Sequence, residues 1–300
     1  MLGYTSASSS LVLLGLVAAC SPRTLTLVQL YSDGASAPTS LDGNPGDPSS
    51  TISSDGRLAP TSVDADLGAS SRDAPAASVS AGLVGLWHFD DGSGSQVVRD
   101  SSGNSNDGTL VGLDPAQAWV AGRWGGALAA NGVGYAEVPL STGISAIATG
   151  VTVSAWVYLD GVIAAGGFGV AIARQVRLTD LQYYHLSLTP GGVPSMSIGL
   201  SPKVTPFQAL ATTPIAPRTW THLAGTYDGK VEILYVGGVA IDSTSYAGVF
   251  NPDYITPVLL GANGGKAGTR DYFPGRIDEI ALYDRALSPD EIRLLATASP

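Results

Sequence analysis

Few residues in this chain could do covalent chemistry. Its four glutamates are Glu137, Glu232, Glu279 and Glu291, its histidines are His88, His185 and His222, and its one cysteine is Cys20. Asp278 and Glu279 are adjacent, so on a strand their carboxylates point to opposite faces and cannot flank one glycosidic bond. No Gly-x-Ser-x-Gly elbow is present, and no histidine pair has zinc spacing. Each histidine stands in an apolar strand context that suits a core or half-buried imidazole. What remains is oxygen chemistry at two distant places. Leu83-Val-Gly-Leu-Trp-His-Phe-Asp-Asp-Gly-Ser-Gly94 and Phe273-Pro-Gly-Arg-Ile-Asp-Glu-Ile-Ala-Leu-Tyr283 both read as strands ending in acidic turns. If paired, they staple one domain at its two ends and supply its only plausible metal site.

Aromatic side chains offer a second chemistry, because Trp and Tyr faces stack on sugar rings. Trp87, Trp156 and Trp220 sit inside strand motifs and read as core. Trp119 and Trp124 straddle Val120-Ala-Gly-Arg123 and read as packing under the first hairpin. Loop tyrosines are then left: Tyr183, Tyr184, Tyr254 and Tyr272, the last beside Arg270 and Asp271. Tyr254, Arg270, Asp271 and Tyr272 form the candidate ligand-binding surface, with ordinary solvated surface as the alternative.

The elements that must position these groups are short strands. The 300 residues include 38 Gly and 19 Pro, with 44% apolar and 13% charged residues, a balance that suits many tight turns around a sizeable core. About a dozen strand candidates run from Leu83 to Tyr283. Val151-Thr-Val-Ser-Ala-Trp-Val-Tyr158 alternates cleanly, with Val151, Val153, Ala155 and Val157 on one face. Asn131-Gly132 predicts a hairpin between 126–130 and 135–138. Asp228-Gly-Lys230 and Gly237-Gly238 predict two more turns. Ser288-Pro289-Asp290-Glu291 is a capping box with Pro at the first helical position, which predicts a short C-terminal helix. No long helices separate the strands, which excludes a parallel α/β sheet.

The N-terminal part reads as an export signal. Leu11-Val-Leu-Leu-Gly-Leu-Val-Ala-Ala19 is a nine-residue apolar run, about 14 Å as a helix against a hydrocarbon core of roughly 30 Å. It is a signal h-region rather than a membrane span. Val17-Ala-Ala-Cys20 resembles a bacterial lipobox, in which Cys20 would be lipidated, although residues 1–10 lack Lys and Arg; an ordinary secretory signal with a chance cysteine is the alternative. Residues 21–80 are rich in Ser, Asp, Pro, Ala and Gly and read as a disordered tether. Residues 81–300 are the folded domain. The net charge of −10 and the lack of a basic stripe exclude nucleic-acid binding, while an acidic surface tolerates Ca²⁺ or a neutral sugar.

Five motifs now stand in order: Leu86-Trp-His-Phe-Asp-Asp-Gly-Ser-Gly94, Asp100-Ser-Ser-Gly-Asn-Ser-Asn-Asp-Gly108, Val153-Ser-Ala-Trp-Val157, Trp220-Thr-His-Leu-Ala-Gly-Thr-Tyr-Asp228 and Arg276-Ile-Asp-Glu-Ile280. Together they resemble the laminin-G-like jelly-roll domains of the concanavalin A-like lectin/glucanase superfamily. The resemblance implies an all-β, two-sheet antiparallel sandwich with its first and last strands adjacent and one short C-terminal helix. It also implies a structural Ca²⁺ site near those strands. Asp90 and Asp278 would be the carboxylate ligands, with Asn104 or Asn106 and backbone carbonyls completing the shell. Asp and Asn in loops also make turns and Asx caps, and that alternative stays open. Related hydrolases carry a Glu-x-Asp-x-x-Glu strand, which this chain lacks. The expected protein is therefore a non-enzymatic module of a bacterial cell envelope, lipid-anchored and binding an extracellular glycan or a surface protein. A divergent glycoside hydrolase and a structural envelope protein are the alternatives.

Overall fold

The computed structural model describes residues 79–161, 163, 167–175, 182–200, 207–250, 256–264 and 270–299. The signal segment with Cys20, nearly all of the 21–80 tether and Tyr254 lie outside the described residues. In chain order the strands are β1 (Leu83–Trp87), β2 (Val97–Val98), β3 (Gly108–Val111), β4 (Trp119–Ala121), β5 (Gly126–Ala129), β6 (Tyr135–Val138), β7 (Val151–Leu159) and β8 (Gly169–Gln175). They continue with β9 (Gln182–Thr189), β10 (Val193–Ile198), β11 (Phe207–Leu210), β12 (Thr221–Tyr227), β13 (Val231–Val236), β14 (Val239–Ser245), β15 (Val258–Leu260) and β16 (Gly275–Tyr283). The helices are α1 (Thr142–Ser145) and α2 (Pro289–Thr297).

These strands form two antiparallel sheets. The first runs β14-β13-β12-β7-β16-β5-β4, with β1 also on β16; the second runs β11-β10-β9-β8-β15-β6-β3-β2. Alternation along each strand decides which side chains meet between them. On β7, Val151, Val153, Ala155 and Val157 are fully buried in the inter-sheet core, together with Leu186 and Leu188 of β9 and Met196 and Ile198 of β10. The expected two-sheet sandwich is therefore present. The outward face of the first sheet is covered in part by α2, whose Ile292 packs with Ala224, Tyr235, Ala281 and Tyr283. The capping box that starts this helix is complete: Ser288 Oγ accepts from the Glu291 N–H, and the Glu291 carboxylate accepts from the Ser288 N–H.

The first and last strands pair antiparallel, with Leu86 opposite Ala281 and Trp87 opposite Ile280. The far edge of β1 is closed by side chains of the Asn/Asp-rich segment 100–106. Asp100 Oδ1 accepts the Leu86 N–H at 3.0 Å, and the Ser101 N–H donates to the Leu86 carbonyl at 2.7 Å. The Asn104 and Asn106 amides donate to the Leu83 and Val84 carbonyls at 2.9 and 2.7 Å. The Trp87 indole donates to the Asn106 carbonyl at 3.0 Å. A strand edge is thus satisfied without a further strand. At the opposite margin the two sheets are tied by side chains. Asp242 of β14 accepts the Leu210 N–H, and the Thr244 hydroxyl donates to the Gln208 carbonyl.

Two expectations change. Asn131 and Gly132 take the positive φ values of 50° and 72° that their residue types suggested, yet β5 and β6 enter different sheets. Their N–H groups donate to the carbonyls of Gly275 and Phe273, so this turn crosses between layers instead of closing a hairpin. Tyr183 and Tyr184 are buried strand residues of β9 and not loop residues. The strands β2, β4 and β11 and the one-turn helix α1 went unread because each is too short to show a period.

One buried acid has a measurable consequence. Glu232 is fully buried and its Oε2 accepts the Tyr246 hydroxyl at 2.5 Å. Burial pushes its carboxyl up to about 8, against the pull of that hydroxyl. A group whose folded pKa lies above its unfolded value of 4.5 favours folding at low pH and loses that contribution as pH rises towards the folded value. The loss is about 1.4 kcal/mol per pH unit across that window. Glu232→Gln keeps the hydroxyl's acceptor and removes the charge. Its melting temperature relative to the parent should therefore rise between pH 5 and pH 8; a constant difference would show that Glu232 does not titrate in this way.

Candidate functional site

The site is built around a bulge in β16. One edge of β16 pairs with β7 throughout; the other pairs with β5 at Arg276 and Ile277 and with β1 from Ile280 onward. Where the partner changes, the register against β7 shifts between Asp278 and Ala281, and Glu279 adopts φ 48°. Bulges re-aim side chains at such points, and a non-glycine residue at positive φ persists only where its surroundings hold it.

The displaced residues are held by a turn. Asp278 is fully buried, and its carboxylate accepts the N–H groups of Arg123, Trp124 and Glu279 at 2.7, 3.3 and 2.8 Å. Gly122 permits this approach, since a Cβ there would collide with the Gly126 carbonyl and Asp278 Oδ2. Burial, with Glu279 adding, pushes the Asp278 carboxyl up to about 7, while the three N–H donors pull it down. Asp90 Oδ1 accepts the Gly126 N–H at 2.5 Å from the other side of the same turn. His88 Nδ1 lies 2.7 Å from Glu279 Oε2. That bond, opposed by burial and helped by Glu279, Asp90 and Asp278, holds the imidazole above its ordinary value.

The four expected metal ligands do not share one point. Asp90 and Asp278 meet across the 122–126 turn, but Asn104 and Asn106 sit at the start of β1 on the carbonyls of Leu83 and Val84. At about 3.3 Å per extended residue, Val84 and the end of β1 at Trp87 are already about 10 Å apart, and Asp90 lies further on. A Ca²⁺ shell needs its oxygens within about 2.6 Å of one centre. Among the described residues no group of three or more His, Cys, Asp or Glu side chains is arranged to hold a metal ion. The residues present therefore do not fit the expected ion as a set. Their oxygens and amides cap backbone groups, the other use open to Asp and Asn.

On the outward face of the same sheet, beside the bulge, lies an aromatic array. Trp124 meets Trp156 edge-on at 5.3 Å, Trp156 meets His222 at 5.5 Å, and the Arg123 guanidinium lies over both indoles at 5.0 and 4.7 Å. Further along, Trp220 tilts against Tyr158, over which Arg276 lies at 4.8 Å. Trp156 and Trp220 thus belong to this face and not to the inter-sheet core, and Trp124 is not under a hairpin. The alternation of β7 carried that signal, since residues 152, 154, 156 and 158 oppose its core-facing set. The Ser154 hydroxyl lies 2.9 Å from His222 Nε2, and burial pulls that imidazole down to about 4. Its Nδ1 has no partner among the described residues, so this serine–histidine pair lacks the third group that orients a catalytic imidazole.

Three of the four expected ligand-binding residues come together on the outward face of the second sheet. The Arg270 guanidinium lies 4.6 Å from the Tyr135 ring centre, and Tyr135 and Tyr272 are 6.3 Å apart at 38°. Asp271 and Asn263 lock each other: the Asn263 amide donates to Asp271 Oδ2 at 2.7 Å, and the Asp271 N–H donates to Asn263 Oδ1 at 3.0 Å. Tyr135 and Asn263 escaped the sequence reading. Tyr135 was findable, because it alternates with the core residues Ala136 and Val138. Across the middle of the same sheet, His185, Ser187, Ser195 and Ser197 occupy the outward positions of β9 and β10 in cross-strand register. His185 Nε2 and Ser187 Oγ have no partner among the described residues.

A family model described as the concanavalin A-like lectin/glucanases superfamily matches residues 130–293. Domain 4 of AbnA, a GH43 extracellular arabinanase from Geobacillus stearothermophilus solved with arabinotriose, is 25% identical with a TM-score of 0.54, covering 72% of this chain and 98% of that one. The binding domain of Paraclostridial Mosquitocidal Protein 1 is 18% identical with a TM-score of 0.55, over 73% of this chain and 52% of that one. Trypanosoma rangeli sialidase with the inhibitor DANA is 20% identical with a TM-score of 0.52, over 72% of this chain and 33% of that one. The last two similarities show the fold alone, and this chain spans only about half and a third of those proteins. No curated protein matches the chain.

The backbone clamp formed by Asp278 is open to direct test. Asp278→Ala leaves three N–H groups without their acceptor and should cost about 2–4 kcal/mol of folding stability. The melting temperature should fall by the same amount with and without EDTA. A parent protein that loses stability on chelation, to the level of the variant, would assign the carboxylate to an ion instead.

Proposed function

The chain belongs to the concanavalin A-like lectin/glucanases superfamily, and on that footing we propose that it is a non-catalytic module that binds an extracellular glycan through the surface made by Tyr272, Arg270 and Asp271 over the buried Tyr135. The observation that carries this reading is preorganisation. Two rings, a guanidinium and a carboxylate are held by one another and by Asn263, which limits the ordering cost of binding. The partly exposed Tyr272 ring, packed on the buried Tyr135, offers an apolar face that a sugar can stack on, and the locked polar groups offer fixed hydrogen bonds to hydroxyls. The arabinotriose complex of the similar arabinanase domain supports a glycan as the ligand class.

The carboxylates speak for binding without cleavage. Glu279 is engaged by His88, Glu232 by Tyr246 and Glu291 by Arg285. Glu137, 3.5 Å from the Tyr135 hydroxyl, is the one glutamate beside the ring cluster. Export and a lipid anchor at Cys20 belong to the same proposal and rest on residues 1–20 of the sequence.

A glycan array probed with the full chain should show retention of a defined oligosaccharide class, with arabino-oligosaccharides as the first candidates. Tyr272→Ala and Arg270→Ala should each weaken that binding at least ten-fold while leaving the melting curve within a few degrees of the parent. Binding that survives both substitutions would move the site elsewhere, and release of shortened oligosaccharide on incubation would make the protein a hydrolase.

A further inference from the structure

A cavity of about 310 Å³ lies between α2 and the β1–β16 pair, remote from the glycan surface just described. Its volume is at the lower end of small-molecule sites. It has two unlike ends. One is apolar, lined by Leu83, Leu86, Leu294 and Leu295; the other presents Trp124, His88 and Glu279. The glutamate sits on the strained residue of the β16 bulge. Its Oε2 is taken by His88, but its Oε1 is buried and has no partner among the described residues. A buried carboxylate oxygen without a donor is costly. Asp90 and Asp278 do not line the cavity but lie close enough to His88 to add negative potential behind its polar end. The other nearby cation, Arg123, is exposed and lies over the indoles of Trp124 and Trp156.

We propose that this cavity is a second binding site, for a small amphiphile with an apolar body and an ammonium head. The body would replace water along the leucines, and the ammonium would take its place beside the Trp124 ring as the donor to Glu279 Oε1, which must turn towards the cavity to accept it. A carboxylate-headed amphiphile would meet the acidic end with the wrong sign. An uncharged alcohol would form a neutral hydrogen bond where the amine forms a charge-assisted one, which is roughly twice as strong.

The test uses the full chain and three eight-carbon probes: octylammonium, octanol and octanoate. Binding is followed by calorimetry and by tryptophan fluorescence. Octylammonium should bind with one-to-one stoichiometry and at least ten-fold more tightly than octanol, and octanoate should not bind. Glu279→Gln should remove that ten-fold preference while keeping the His88 contact, and Leu295→Phe should weaken all probes by filling the apolar end. Both variants should retain glycan binding, which also shows that they are folded. Equal affinity for the three probes would overturn the proposal. So would octylammonium binding unchanged in Glu279→Gln or in Leu295→Phe.

Discussion

The pairing of β1 with β16 is the constraint on which this structure depends. β16 is flanked by β7 along one edge, while its other edge is shared between β5 and β1. A single strand cannot change partners smoothly, because the two newcomers arrive from different parts of the chain with their own registers. The bulge at Asp278 and Glu279 absorbs that mismatch. Its cost is offset locally: a buried carboxylate takes three backbone N–H groups of the neighbouring turn and its own strand, and the next carboxylate takes an imidazole from the end of β1. The same few residues therefore close the sandwich, position the Trp124–Trp156 array and shape the cavity under α2.

Polar side chains do in this protein much of what a further strand would do elsewhere. Segment 100–106 lies along β1 and satisfies its free edge with one carboxylate, two amides and a backbone N–H. At the opposite margin Asp242 and Thr244 join the two sheets across their last strands. This gives the Asp and Asn side chains beside the terminal strands their backbone partners.

Much of this was legible in the residues. The two terminal motifs announced their adjacency, the alternation of residues 151–158 fixed the inner face of β7, and Ser288 to Glu291 marked the start of α2. Arg270, Asp271 and Tyr272 were identifiable as a group because charge and ring stand side by side in a loop segment. Other features were hidden for physical reasons. Asn131-Gly132 specifies a backbone conformation and not the sheet into which each flanking strand goes. Trp156 and Trp220 look like core residues by type, and only their phase relative to Val153 and Val157 assigns them to the outside. The Glu279 bulge leaves no trace in composition, because it arises from the competition of two partner strands. The role of Asn104 and Asn106 depended on which backbone groups lay unpaired opposite them, which only the fold supplies.

The most direct measurement of the β1–β16 register is a cross-link. Leu86 directs its own N–H and carbonyl towards segment 100–106, so its pairing with Ala281 is of the non-hydrogen-bonded kind, with Cα atoms about 4.5 Å apart. That spacing suits a disulfide. In a Cys20→Ser background, the pair Leu86→Cys and Ala281→Cys should oxidise spontaneously and raise the melting temperature relative to the reduced form. Thiols that stay free under oxidising conditions in a folded protein, or a bond that forms only after unfolding, would contradict the pairing and with it the arrangement of both surfaces.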